Sequence, residues 1–397
     1  MKNVLVRYKQ EVIVILIALF SRLLTVFIGV VFATNSLNAN VDDLNKAFVQ
    51  WDGVWYMQIV EQGYDQDYAS FAPEHWYCNT GESNCQRNFA FFPLYPLVIK
   101  SLSNITGIDN TISGLLISNI SFVVSVLLLF KITKELVNTK IAWFSLAVII
   151  VAPTSYVFSA FMSESLFLML FLLSVYLAMK QKWLISGISG ALLSATRNTG
   201  IMIIPILLLI YIEKKYEGKK FPGIGVKLFK SLDFKIVLSI LLSCLGLIAF
   251  MVYLNGLVGD PLAFVNIQKY WDKPVNGINP LLAIPYSFIN WQLESSFKIH
   301  IYNLGYFLLL TILGLWGLKT KKLPLSQLLI LSIVFIPMLS GSMLALPRYI
   351  SVLYPIYILA GMVVAKYKRL GGILLLFSAI LSIIMLDAYV HGLWITV

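Results

Sequence analysis

Four charged side chains in this 397-residue sequence stand where charge is hardest to place: Asp52, Glu164, Arg197 and Arg348. Asp52 lies in Trp51-Asp52-Gly53-Val54-Trp55-Tyr56, a carboxylate flanked by rings. Such a group at an apolar edge suits a general base that works where lipid meets water. Its plain alternative is an N-cap, compatible with the first role because the positive end of a helix keeps a carboxylate ionised. Glu164, in Phe161-Met162-Ser163-Glu164-Ser165, opens an apolar run and is either a helix-start charge, a binder of ligand hydroxyls or a partner for Arg197. Arg197 is expected in the middle of apolar sequence, where an arginine is costly and points to phosphate or carboxylate binding. Arg348, in Leu346-Pro347-Arg348-Tyr349, could add to that charge or simply snorkel from a helix end. Trp51, Trp55, Tyr56, Phe91, Phe92 and Tyr95 read first as an interfacial belt, and some could stack on a ligand ring.

Other chemistry is thin. Three histidines without HExxH or CxxC spacing provide no metal signature. Cys78 and Cys85 share one loop and could pair in an oxidising compartment, whereas Cys244 sits in an apolar run. Trp271-Asp272 echoes Trp51-Asp52 but lies among Lys, Pro and Asn, so Asp272 ranks well below Asp52.

The elements that must position these groups are helices in a bilayer. Hydrophobic residues make up 59% of the chain, charged residues only 12%, and mean hydropathy is +0.82, which excludes a soluble globular protein. Apolar runs near 11–33, 111–130, 141–152, 164–180, 184–196, 200–212, 236–257, 300–318, 326–342, 349–365 and 370–390 predict one all-α polytopic domain over 1–397, with about eleven transmembrane or half-membrane helices. Residues 34–110 form a large first outer loop and 258–299 a second. Within the first, 46–63 reads as one interfacial helix, and Phe92-Pro93 with Tyr95-Pro96 as an extended turn. Arg22 interrupts the first run and needs a partner or a wet groove.

Charge tests the layout. Segments assigned to the cytoplasm hold 21 of the 30 Lys and Arg residues and the outer ones eight, so the net charge of +11 follows the positive-inside rule and calls for no nucleic acid. The N-terminus is then cytoplasmic and the 51–96 loop extracytoplasmic. Read as a single span, 184–212 would carry the lysine-rich 213–235 segment outside. Two short helices with Arg197 near the tip avoid this.

Trp51-Asp52-Gly53-Val54-Trp55-Tyr56 with Gly63-Tyr64, then Ala90-Phe91-Phe92-Pro93-Leu94-Tyr95-Pro96, resembles the PIG-V-like mannosyltransferases of the GT-C superfamily. The likeness continues through Ser163-Glu164-Ser165-Leu166-Phe167, Thr196-Arg197-Asn198-Thr199-Gly200 and Pro347-Arg348-Tyr349. The resemblance implies an inverting enzyme using a polyprenyl- or dolichyl-phosphate sugar, typically mannose, on the extracytoplasmic or lumenal face. It implies no metal or other cofactor, Asp52 as base, and Trp51, Trp55, Tyr56, Glu164, Arg197, Arg348 and Tyr349 as candidate contacts to donor or to a glycan, glycolipid or protein acceptor. A lipid or solute transporter would also need an intramembrane arginine, but no internal repeat is visible. A non-catalytic partner of such an enzyme would have no need to keep Asp52.

Overall fold

The computed structural model describes residues 9–36, 44–66, 86–217, 232–270, 294–335 and 345–393. Helices dominate, and there is no strand among the described residues. Five helices are long and apolar enough to cross a membrane: α1 (Lys9–Ser36), α5 (Asn110–Leu136), α10 (Phe234–Val258), α12 (Glu294–Thr320, apolar from Tyr302) and α16 (Lys368–Val390). The chain is by length and composition an integral membrane protein.

The second set is short. Helices α6 (Thr139–Val151), α7 (Glu164–Met179), α8 (Trp183–Ser194), α9 (Ile203–Lys215) and α15 (Pro355–Lys366) have 12 to 16 residues. At 1.5 Å per residue they span only ~18–24 Å. All eleven expected apolar runs have helical counterparts. The run at 349–365 divides into α14 (Leu346–Ser351) and α15, because Pro355 suits a first helical turn and not an interior. The run at 326–342 is followed as α13 (Leu325–Ile330) and a 3₁₀ turn to Val334, its remainder lying outside the described residues.

The first outer loop is more helical than its prolines suggest. Pro93 and Pro96 do not hold it extended; α4 (Leu94–Thr106) begins between them. A first helical turn has no intrahelical use for its N–H groups, so Pro96 loses nothing there. The expected single helix over 46–63 is instead α2 (Leu44–Phe48) and α3 (Asp52–Gln62), separated by a tight turn.

Small residues set the closest helix approaches. A Cβ added to Gly190 would lie 2.2 Å from Ser243 Oγ, and one on Gly246 2.0 Å from the Ala191 carbonyl, so α8 and α10 meet almost backbone to backbone. Gly361 of α15 is also close against α6, where an added Cβ would lie 2.7 Å from Ser145 Oγ. Apolar side chains fill the remainder: Phe122, Phe130, Phe158, Phe161, Phe167 and Phe171 are all essentially inaccessible.

The two ends of the bundle differ chemically. At one, Lys134 Nζ donates to Gln10 (2.9 Å), Lys180 pairs with Glu135 (2.6 Å), and Ser326 N donates to Glu213 (2.8 Å). At the other lie the starts of α7, α9 and α15 and the ends of α6 and α8. Glu164 begins α7, Arg197 lies between α8 and α9, and Arg348 lies on α14 just before α15.

Candidate active site

The site is assembled on the irregular segment 152–163 between α6 and α7. Its 3₁₀ turn, Ser155–Phe158, is fixed from the side by Arg22, which is 2% exposed. Arg22 Nη1 donates to the Ser155 carbonyl (2.8 Å) and Ser159 Oγ (3.3 Å), Nη2 to Ser155 Oγ (2.8 Å), and the guanidinium lies 4.1 Å from the Phe122 ring centroid. Its Nε also donates to Ser21 Oγ (3.3 Å), so the partner this intramembrane arginine required is a carbonyl, three hydroxyls and a ring.

The Trp-Asp-Gly sequence docks on the end of that segment. Phe161 N donates to the Phe48 carbonyl (3.0 Å), and a Cβ on Gly53 would stand 2.9 Å from the Phe161 carbonyl, so glycine permits the close approach. Gly53 N closes a turn onto the Gln50 carbonyl (2.8 Å) with Trp51 at φ 53°, ψ −116°, a conformation suited to glycine. Holding tryptophan there costs ~1–3 kcal/mol, sustained by its packing against the apolar cluster that includes Phe48, Met162 and Tyr389. Asp52 consequently becomes the first helical residue and makes no cap. The N-cap expectation fails because the turn aims the carboxylate elsewhere.

It is aimed at Arg348. Arg348 Nη2 donates to Asp52 Oδ2 at 2.6 Å and to Glu164 Oε1 at 2.6 Å, and its Nε donates to the same Glu164 oxygen at 3.1 Å. Arg197 Nη1 pairs with Glu164 Oε1 at 2.8 Å. One carboxylate oxygen therefore receives both guanidinium groups, while Glu164 Oε2 is buried without a hydrogen-bond partner. Ser163 Oγ accepts from Tyr56 Oη (2.8 Å) and lies 3.5 Å from Arg197 Nη1; the Arg197 guanidinium stands 5.2 Å from the Tyr349 ring centroid. Burial pushes the Tyr56 hydroxyl well up from its ordinary range, so it is a neutral donor at physiological pH.

Five expected residues thus meet at one place: Asp52, Tyr56, Glu164, Arg197 and Arg348, with Tyr349 stacked beside them. Arg348 is 3% exposed and held from two sides, so it is no snorkelling residue. Trp55 is buried and stacks on Phe91 (centroids 5.8 Å apart), which places it in the core behind the cluster; Trp51 packs on the side of α1 and α16. Ser163 was not singled out in the sequence, although it precedes Glu164 in the quoted stretch. Asp272, Cys78, Cys85 and the Glu294 side chain lie outside the described residues.

Two carboxylates and two guanidiniums leave the cluster neutral, which limits the cost of burying these charges. Accessibility separates them. Side-chain exposure is 25% for Asp52, 14% for Arg197, 3% for Arg348 and 1% for Glu164. Asp52 is the accessible acceptor, Glu164 the buried brace. Leu94 N donates to the Ala195 carbonyl (3.0 Å), tying the start of α4 to the turn that carries Arg197.

No protein-family model matches this sequence, and no curated protein does. Solved structures match over nearly its whole length. One is the Archaeoglobus fulgidus oligosaccharyltransferase tethered to an acceptor peptide containing the NVT sequon (TM-score 0.51, 13% identity, 98% of this chain and 56% of that one). Another is the Archaeoglobus fulgidus oligosaccharyltransferase with an inhibitory peptide and a dolichol-phosphate (TM-score 0.50, 14% identity, again 98% and 56%). The chain spans about half the length of these proteins. At such identity the likeness is one of fold, and that fold is the all-α, GT-C-like membrane architecture.

Proposed function

We propose that this chain is an inverting GT-C-type glycosyltransferase that moves a sugar, mannose by its motifs, from a polyprenyl- or dolichyl-phosphate donor to a hydroxyl acceptor. The carrying observation is one accessible carboxylate, Asp52, set against a buried arginine that a second carboxylate braces, with Arg197 beside them. Asp52 takes the acceptor's hydroxyl proton as that oxygen attacks the anomeric carbon. The new C–O bond forms as the bond from the anomeric carbon to the phosphate oxygen breaks, and lipid phosphate leaves with the electron pair. Arg197 and Arg348 stabilise the charge growing on that phosphate. Tyr349 stands beside Arg197, and the buried Tyr56 supports the cluster through Ser163.

The extracytoplasmic or lumenal face is the proposed side. Supporting it is the gathering of Lys134, Lys180 and Lys215 at the end of the bundle remote from the cluster, as expected of a cytoplasmic end. The deciding experiment offers purified protein polyprenyl-phosphate mannose with candidate acceptors and measures lipid phosphate release together with glycosylated product. Acceptor-dependent release is expected. Movement of the lipid between leaflets without release would overturn the enzymatic reading in favour of a transporter.

A further inference from the structure

We propose that the donor's phosphate group displaces Asp52 from Arg348, so that the base is freed only when donor is in place. This rests on the glycosyltransferase reading of the site and adds an order to it.

The asymmetry around Arg348 carries the argument. Glu164 holds this guanidinium through two donors, Nε and Nη2, from a position with 1% exposure. Asp52 holds it through Nη2 alone, from a carboxylate with 25% exposure. Of the two partners, Asp52 is the one an incoming anion can replace. A phosphodiester brings the same single negative charge and the same acceptor oxygens as a carboxylate, and guanidinium accepts either. Glu164 meanwhile keeps Arg348 and Arg197 in position, since its Oε1 bonds both.

The exchange has a chemical consequence. In the donor-free site, Asp52 Oδ2 is occupied by an arginine N–H at 2.6 Å. After exchange that oxygen is released from the arginine N–H and is open to accept a hydrogen bond from the acceptor hydroxyl. The acceptor hydroxyl is thereby activated only in the presence of donor. Donor binds productively before acceptor.

The test is equilibrium binding of a polyprenyl monophosphate, in detergent micelles, to wild type, Asp52→Asn, Arg348→Met, Glu164→Gln and the Asp52→Asn/Arg348→Met double variant. Removing the competing carboxylate should tighten binding on the order of fivefold, the factor equivalent to about 1 kcal/mol of relieved pairing. Arg348→Met should weaken binding, and in that background Asp52→Asn should bring no gain. Glu164→Gln should bring none either, because it loosens the brace; an equal gain there would mean simple charge repulsion and would overturn the exchange. Unchanged or weaker binding in Asp52→Asn overturns it as well, and if wild type still transfers sugar, the catalytic reading survives that loss. Absence of lipid phosphate binding in every form would sink the donor class and the exchange together. A wild-type measurement covers any variant that does not fold. Protein preloaded with labelled polyprenyl-phosphate mannose and chased with unlabelled donor plus acceptor should trap label as product, whereas protein preloaded with labelled acceptor should not; the opposite pattern overturns the order.

Discussion

Arg22 and Arg348 are both nearly inaccessible arginines in a chain with few charges, yet they are satisfied in opposite ways. Arg22 meets a carbonyl, hydroxyls and an aromatic face, all neutral and drawn from the 152–163 segment, from α1 itself and from α5. Arg348 meets two carboxylates, Asp52 and Glu164, from the other half of the sequence. Neutral partners distributed around a guanidinium hold it without giving an incoming anion anything to replace. A carboxylate partner, half-open to its surroundings, offers a place for exchange. The first arrangement fastens the scaffold and, on the proposed reading, the second prepares chemistry.

The largest expected break of this comparison is Arg348→Met. It leaves Asp52 without its cation and the buried Glu164 with Arg197 alone, so folding should lose about 3–5 kcal/mol and sugar transfer by the surviving folded protein should fall at least ~10²-fold; thermal unfolding in detergent and single-turnover transfer measure both. Wild-type turnover there would reduce Arg348 to scaffold. Next comes Asp52→Asn, where transfer should fall at least ~10²-fold. Stability should hardly move, because the exposed partner of the pair is the one changed and no cap is lost. Near-normal turnover would shift the base assignment to Glu164. Arg22→Met should show the inverse pattern. Leaving the Ser155 and Ser159 acceptors unpaired costs about 1–3 kcal/mol, but transfer per folded molecule should stay within about twofold, and a larger loss would erase the contrast between the two arginines. Smallest is Glu135→Gln, which removes the exposed Lys180 pair. Stability should change by no more than about 0.5 kcal/mol, giving a baseline for a charge that holds nothing.

Much of this was legible because charge is rare in the sequence. Asp52, Glu164, Arg197 and Arg348 stand out in apolar surroundings, and 3.6-residue apolar runs mark the helices on which they ride. Their partnership was legible only for Glu164 with Arg197. Arg348 lies 296 residues from Asp52, and no local pattern reports a contact at that separation. The fate of Asp52 turned on the backbone of Trp51, since a positive φ at tryptophan is an exception no propensity anticipates. The same turn splits the expected interfacial helix. Pro96 misled for a complementary reason: whether proline breaks a helix or begins one depends on where the first turn falls, and that is set by the Ala195 carbonyl from a distant segment.

The short helices also make the surrounding lipid a component of the site. With 12 and 13 residues, α8 and α9 fall some 10 Å short of a ~30 Å hydrocarbon core, while α5 and α10, with 27 and 25 residues, exceed it. A membrane meeting both must thin beside the first pair and thicken or be crossed at a tilt by the second, at a fraction of a kcal/mol per Å. Under the proposed donor class, thinning would lower the headgroup layer toward Arg197 and bring a lipid-borne phosphate to the cluster within the bilayer plane. Acyl-chain length in the host membrane would then act as a setting on substrate access, thin bilayers lifting the cluster to headgroup depth and thick ones sinking it below.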